Sequence, residues 1–458
     1  MPIIFGAVHP FTQGLYTFAI ISLAGGGLLF CRDGIIESTI NFRVLSVPFI
    51  LFLYIVISSL PVPLFLISIF SPHRARALME VNILTDSDIN LASLSYNGLS
   101  GLPMAAFYLA LILFFIVMVS SMKKRKDLFY TICIVMVATG SFEAVYGLLQ
   151  VLFPHLGILW LPNITHCACG SIIYKNQYAA FLNLCWPTAL ALYIDCANKA
   201  KQVRKTKGKR RYPARFIKDI YFHDNKGLLF LFLAVVMMLA ILFSLSRAGI
   251  LVMFLIWALL FLLLPFPRKK TLLLFSAVFA GLLFYGSQIG FHKLLERFLT
   301  LEKSGISRIT VWISSLPILY DYWLTGIGID SYKLLSSVYL KHFPPDIIWD
   351  RAHNEYLETV LELGVPAAGL LFGWIFSRLS NAYHYFLNQR HGDFSAMSLE
   401  TFLAVSSLAS ITGLLFHGLV DFVWKLPANA LFCTTLAALL YYCMQEISGQ
   451  HLSYHVPG

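Results

Sequence analysis

Residues 227–264 read GLLFLFLAVVMMLAILFSLSRAGILVMFLIWALLFLLL. Two apolar runs, near 227–243 and 248–264, are divided by Ser244-Leu245-Ser246-Arg247, and each falls in the range of about 17–25 residues that crosses a bilayer as a helix. In lipid only helices and closed barrels can satisfy every backbone polar group, so runs of this length predict helices. Working outward, similar runs recur near 11–30, 42–60, 103–121, 128–152, 177–196, 271–289, 355–377, 399–419 and 426–445. The reading is therefore an all-α, polytopic transmembrane helical bundle of about eleven spans (ten to twelve), forming one integral membrane domain over residues 1–458. Composition agrees, since 58% of the chain is hydrophobic and 12% charged, against about 25% charged in soluble domains. With no short signal peptide ahead of it, the first span is expected to act as its own targeting signal.

Lysine and arginine positions set the orientation. About two thirds of the 34 such residues fall in the loops after spans one, three, five, seven and nine, which predicts that those loops are cytoplasmic. The 61–102, 154–176, 290–352 and 420–425 connections then face the outside. Of these, 290–352 is a long insert expected to be periplasmic, partly helical and to carry part of the active site. Its aromatic residues Phe291, Phe298, Trp312, Trp323, Tyr332, Tyr339, Phe343 and Trp349 argue for order. Its middle, Ile309 to Leu324, reads as an amphipathic helix along the membrane surface or as an extra span.

The net charge of +11 is concentrated between Lys199 and Lys226. A juxtamembrane basic run attracts anionic headgroups and holds its loop inside. No aromatic platform for bases accompanies it, so nucleic acid is not an expected partner, whereas membrane lipids are. Of the eight cysteines, Cys31, Cys133, Cys185, Cys196, Cys433 and Cys443 lie in or beside spans, where cysteine is a small apolar residue. His166-Cys167-Ala168-Cys169 offers soft metal ligands, but structural zinc needs a second pair, so no metal site is expected.

Two features place chemistry at the outer boundary. Arg247 stands between two spans with almost no loop around it, where a guanidinium needs an anionic partner or serves as a snorkelling charge on lipid phosphate. Further on, Arg351-Ala352-His353-Asn354-Glu355-Tyr356-Leu357 is a polar cluster opening into an apolar helix. Arginine, histidine, asparagine and glutamate together form a binding and proton-transfer surface, although His353 alone also fits a helix cap and Arg308 a solvated loop charge.

The ordered set Ser246-Arg247, Arg308 with Trp312, Gly326-Ile327-Gly328, His353-Asn354 with Leu357, and Glu362-Leu363-Gly364 resembles the C-terminal half of the O-antigen ligase and polymerase family. Leu60-Pro61-Val62-Pro63 through Ser71-Pro72, and Gly147-Leu148-Leu149-Gln150 followed by Gly170 through Asn176, resemble its N-terminal part. The chain departs from the pattern at Lys175, where similar proteins often show arginine between two asparagines, and at Tyr174 in place of the first asparagine. The resemblance implies an enzyme of the bacterial inner membrane, active at the periplasmic face. It moves glycan from an undecaprenyl-diphosphate-linked donor to a lipid or glycan acceptor.

The family histidine maps onto His353 and the phosphate-binding arginines onto Arg247 and Arg308; Arg351, Asn354, Lys175 and Asn176 are expected to bind substrate. Residue chemistry fits, because imidazole takes a proton near neutrality and guanidinium forks grip phosphate without titrating. No Asp-x-Asp appears, so a transferase without metal or other cofactor is expected. Ligase, repeat-unit polymerase and protein O-glycosylating activities share this donor chemistry and stay open. A lipid-linked glycan transporter is the rival of another class; it should carry ionisable groups near mid-membrane rather than at the boundary.

Overall fold

The computed structural model describes residues 10–30, 40–153, 155–159, 161, 167–205, 214–265, 301–340, 349–389, 394 and 397–453. Helices α1 (Pro10–Phe30), α2 (Phe42–Ser59), α5 (Leu102–Lys124), α6 (Lys126–Leu152), α7 (Lys175–Lys205), α8 (Ala214–Phe243), α9 (Arg247–Leu263), α12 (Glu355–Asn388), α13 (Leu399–His417) and α14 (Pro427–Ser453) coincide with ten of the expected spans. The span expected near 271–289 lies outside the described residues. Among the described residues, eight helices are long and apolar enough to cross a membrane, and α9 is a shorter apolar one.

The 61–102 connection holds β1 (Pro61–Pro63), α3 (Leu64–Phe70), α4 (Pro72–Thr85) and β2 (Leu91–Ser93), with β1 antiparallel to β2. The fold is helical, and among the described residues this two-stranded sheet is a small addition to it. Helices α7 and α8 also run well past the apolar stretches into the basic 197–226 region, because once a span is helical its backbone continues at little cost until a breaker stops it.

α7 is the centre of the bundle. It packs against α6, α8, α9, α13 and α14, and Tyr178, Phe181, Leu182, Leu184 and Trp186 along it are buried, as expected of a helix apolar all round. Two of its buried polar side chains pair inside the bundle: Asn183 Nδ2 donates to Gly249 O at 2.9 Å, and Trp186 Nε1 donates to Asn183 Oδ1 at 3.0 Å.

The connections sort to two ends. At one end Asn41 N donates to Tyr441 OH, Lys126 pairs with Glu446 at 3.3 Å and Asn198 donates to Phe394 O. At the other end the described parts of the 61–102, 154–176, 301–352 and 418–426 segments meet one another. Here lies α10 (Leu301–Tyr322), followed by α11 (Tyr332–Tyr339). Arg308 near the start of α10 donates to Val420 O at 2.6 Å, while Tyr322 at its end shares a hydrogen bond of 2.6 Å with Tyr96. These two residues are about 21 Å apart along the helix, yet both touch this same end. α10 therefore runs across this end and joins two of its segments.

Two of the sequence motifs meet here through their backbones. Gly364 breaks α12 with φ +79 and ψ 164, and Pro366 follows inside the helix, which removes one backbone donor and crowds the carbonyl of Glu362. The liberated groups pair with the segment 323–328: Ile327 N donates to Leu361 O at 2.9 Å, Gly328 N to Glu362 O at 2.9 Å and Val365 N to Trp323 O at 2.7 Å. A Cβ on Gly364 would stand 2.6 Å from Leu324 O, so both the positive φ and the close approach demand glycine.

Candidate active site

Helix α12 begins with Asn354 as N-cap, its Oδ1 accepting from Leu357 N at 3.0 Å. The cap is thus Asn354 and not His353. Glu355, Glu358 and Glu362 follow at i, i+3 and i+7, a spacing that stacks side chains on one helical face, and all three are fully buried. Together they clamp the 418–426 turn. Glu355 Oε1 accepts from Trp424 N at 3.0 Å and Lys425 N at 3.1 Å, while Lys425 Nζ donates to Glu358 Oε1 and Glu362 Oε2, each at 2.7 Å. Burial opposes the Lys425 charge, but Glu358 and then Glu362 more than offset it and hold the ammonium above its ordinary range. Arg351 joins the network, its Nη1 3.0 Å from Glu358 Oε1 and its Nη2 3.0 Å from Asp330 Oδ1.

The turn so held presents Asp421. His353 Nδ1 is 3.0 Å from Asp421 Oδ1, which also accepts from Phe422 N at 2.9 Å. Asn176 Nδ2 donates to Oδ2, and Arg308 Nη2 stands 3.7 Å from the same oxygen. Burial would raise the Asp421 pKa. The hydrogen bond from His353, with the charges of His353 and Arg308, outweighs it and holds the carboxyl below its usual range. An ionised carboxylate can only accept, so Nδ1 carries a proton, and whenever the ring is neutral the lone pair lies on Nε2. Phe422 and Trp349 flank the ring edge-on, at centroid distances of 5.2 and 6.3 Å, while 27% of the side chain remains exposed. The result is an oriented and partly exposed imidazole.

Backbone strain gathers at this end. The described non-glycine residues with positive φ are Asp86, Leu159, Leu245, Asp330 and His353, and each sits in one of its connections. Conformations of this kind cost on the order of 1–3 kcal/mol and persist where surrounding contacts over-determine them. For His353 those contacts are the Asp421 bond and the Asn354 cap.

Of the residues singled out in the sequence, His353, Arg308 and Asn176 converge on Asp421. Arg351 is directed to two carboxylates and Asn354 to the helix cap. Arg247 opens α9 behind its N-cap Ser246, and Lys175 opens α7, both half-buried. Sequence reading missed Asp421 and Lys425, which lie in a turn too short to draw notice. One signal was present: three carboxylates on one face of an apolar span require cations. Among the described residues no group of three His, Cys, Asp or Glu side chains is arranged to hold a metal ion, and His166 lies outside them.

Residues 232–372 match the O-antigen ligase family. The O-antigen ligase match takes in Arg247, Arg308, the Gly326–Gly328 segment, His353 and Glu362. Asp421, Lys425 and Asn176 lie outside it, as do the N-terminal motifs that resemble the family. No curated protein matches the chain.

Proposed function

We propose that this protein is a membrane glycosyltransferase of the O-antigen ligase type. It moves glycan from an undecaprenyl-diphosphate carrier to a hydroxyl of a lipid or glycan acceptor at the periplasmic face of the inner membrane. The observation that carries this reading is the His353–Asp421 pair, set beside Arg308 at one end of the bundle and reached partly through the segment that matches the O-antigen ligase family. Nε2 of His353 takes the proton from the acceptor hydroxyl as its oxygen bonds to the anomeric carbon, and the bond from that carbon to the diphosphate breaks. Negative charge then grows on the leaving diphosphate, where fixed guanidinium donors stabilise it. A guanidinium has five N–H donors, more than the contacts of Arg308 to Val420 and Asp421 use. With the charge supplied by Arg308 and Arg247, transfer is expected to need no divalent cation and to persist in excess chelator.

The test is to replace each arginine by lysine, which keeps the charge and loses the two-pronged grip on phosphate. Arg308→Lys and Arg247→Lys should each lower transfer from a purified lipid-diphosphate donor by tenfold or more, on the order of one charge-assisted hydrogen bond of about 1.5–3 kcal/mol. Protein level should hold. Full activity in both variants would remove the arginines from the mechanism.

Orientation follows from the basic loops. The 197–226 region is assigned to the cytoplasm and the end that holds His353 to the periplasm. A maleimide that does not cross membranes should label Ser304→Cys in whole cells, above the background of the unsubstituted chain, and spare Gly208→Cys. The reverse pattern would put the site on the wrong face for this donor.

A further inference from the structure

The connection that delivers Asn176 to Asp421 also carries two thiols that transfer does not use. Cys167 and Cys169 are both buried, with their Sγ atoms 3.5 Å apart. Residues two apart in an extended chain do point to the same side, but about 6–7 Å apart; sulfurs this close require the backbone to turn. The turn is held from several sides. Ala168 N donates to Phe243 O at 3.1 Å, Cys169 N and Gly170 N donate to Gln150 Oε1 at 3.1 and 2.9 Å, and Gln150 Nε2 donates back to Gly170 O at 2.7 Å. One residue on, Ser171 donates through N and Oγ to the Glu143 carboxylate at 2.8 and 2.6 Å. Gly170 itself sits at φ +58, a conformation that glycine adopts freely.

We propose that Cys167 and Cys169 form an intramolecular disulfide that closes this turn. The oxidant is a disulfide of the cell envelope, carried by a dithiol protein or a small thiol. One thiolate attacks it and expels its first sulfur as thiolate. The second thiolate then attacks the mixed disulfide, forms the Cys167–Cys169 bond and expels the oxidant's other sulfur. Two protons leave the pair and two electrons pass to the oxidant. The sulfurs need to close from 3.5 Å to about 2.05 Å. The inference takes its oxidising surroundings from the periplasmic placement proposed above, but the pairing itself rests on the 3.5 Å approach.

The full chain is trapped in acid directly from cells, unfolded, alkylated with N-ethylmaleimide and mapped by mass, with and without prior reduction. Unreduced, the peptide holding both cysteines should be lighter by two hydrogens and carry no alkyl group; after reduction it should carry two. Cys167→Ser should leave Cys169 open to alkylation without reductant. If the pair arrives from cells as two thiols, the folded protein is treated with diamide, which accepts the two hydrogens. Closure to the internal disulfide then upholds the pair and counts against the periplasmic placement. Two thiols that survive diamide, or a bond from either sulfur to another cysteine, would overturn the pairing.

Discussion

His353→Ala is expected to lower transfer by about a hundred- to ten-thousand-fold, the range for loss of a general base, while the protein stays folded and binds lipid diphosphate. Stability should fall only modestly, because the Asn354 cap remains and Asn176, Phe422 N and Arg308 still contact the Asp421 carboxylate. Asp421→Asn gives the matched control. The amide keeps the volume but offers a donor as well as an acceptor, so it no longer fixes the proton on Nδ1, and the rate should fall while donor binding holds. The readouts are single-turnover transfer from a purified donor and melting temperature. A fully active His353→Ala would assign the proton to another group. The depressed Asp421 pKa also fixes the acid limit of the cluster. Its stabilising contribution is present above the ordinary carboxylate range and is lost only as pH falls through the lowered value.

Lys425→Met should be the most destabilising single change in this region. The ammonium is the shared partner of Glu358 and Glu362, whose side chains are 0% exposed, and removing one member of a buried ion pair costs about 3–5 kcal/mol. The expected result is low yield in membranes and early thermal aggregation in detergent. Adding Glu358→Gln and Glu362→Gln to the same chain removes the stranded charges and should recover much of the loss. Recovery separates a charge effect from loss of the lysine stem, which the triple variant still lacks. Because the Lys425 pKa is raised, its contribution is complete below the ordinary lysine value and is lost only in strong alkali.

The spans were legible because lipid leaves the backbone no alternative to internal hydrogen bonds, so an apolar run reads directly as a helix. The helix from Ile309 to Leu324 was legible for a related reason, its apolar spacing. Its place across this end was decided by contacts of Arg308 and Tyr322 with segments far away in the chain. The strands at Pro61–Pro63 and Leu91–Ser93 were not legible: three residues are too few to carry a period, and two of the three in the first strand are proline. His353 and Arg308 stood out by residue type and order. Asp421 did not, since its meaning arises only when His353, 68 positions earlier, and Asn176, 245 positions earlier, close on it. Arg351 and Asn354 show the reverse case, residues suited to substrate by type whose polar atoms the fold directs to Glu358, Asp330 and Leu357 N.

The carboxylate face of α12 also bears on how the chain is made. Glu358 and Glu362 emerge 67 and 63 residues before Lys425, an interval of about 3–13 seconds at ordinary rates of synthesis. A carboxylate at the centre of an inserting helix costs about 2.5–3.5 kcal/mol, and during that interval Arg351 is the cation at hand for Glu358. The first two turns of α12 are thus expected to stay at the membrane surface until the hairpin of α13 and α14 arrives with Lys425. Burial of the start of α12 and arrival of the turn bearing Asp421 are then expected to coincide, and a nascent chain stalled before residue 425 should leave that start open to a labelling reagent.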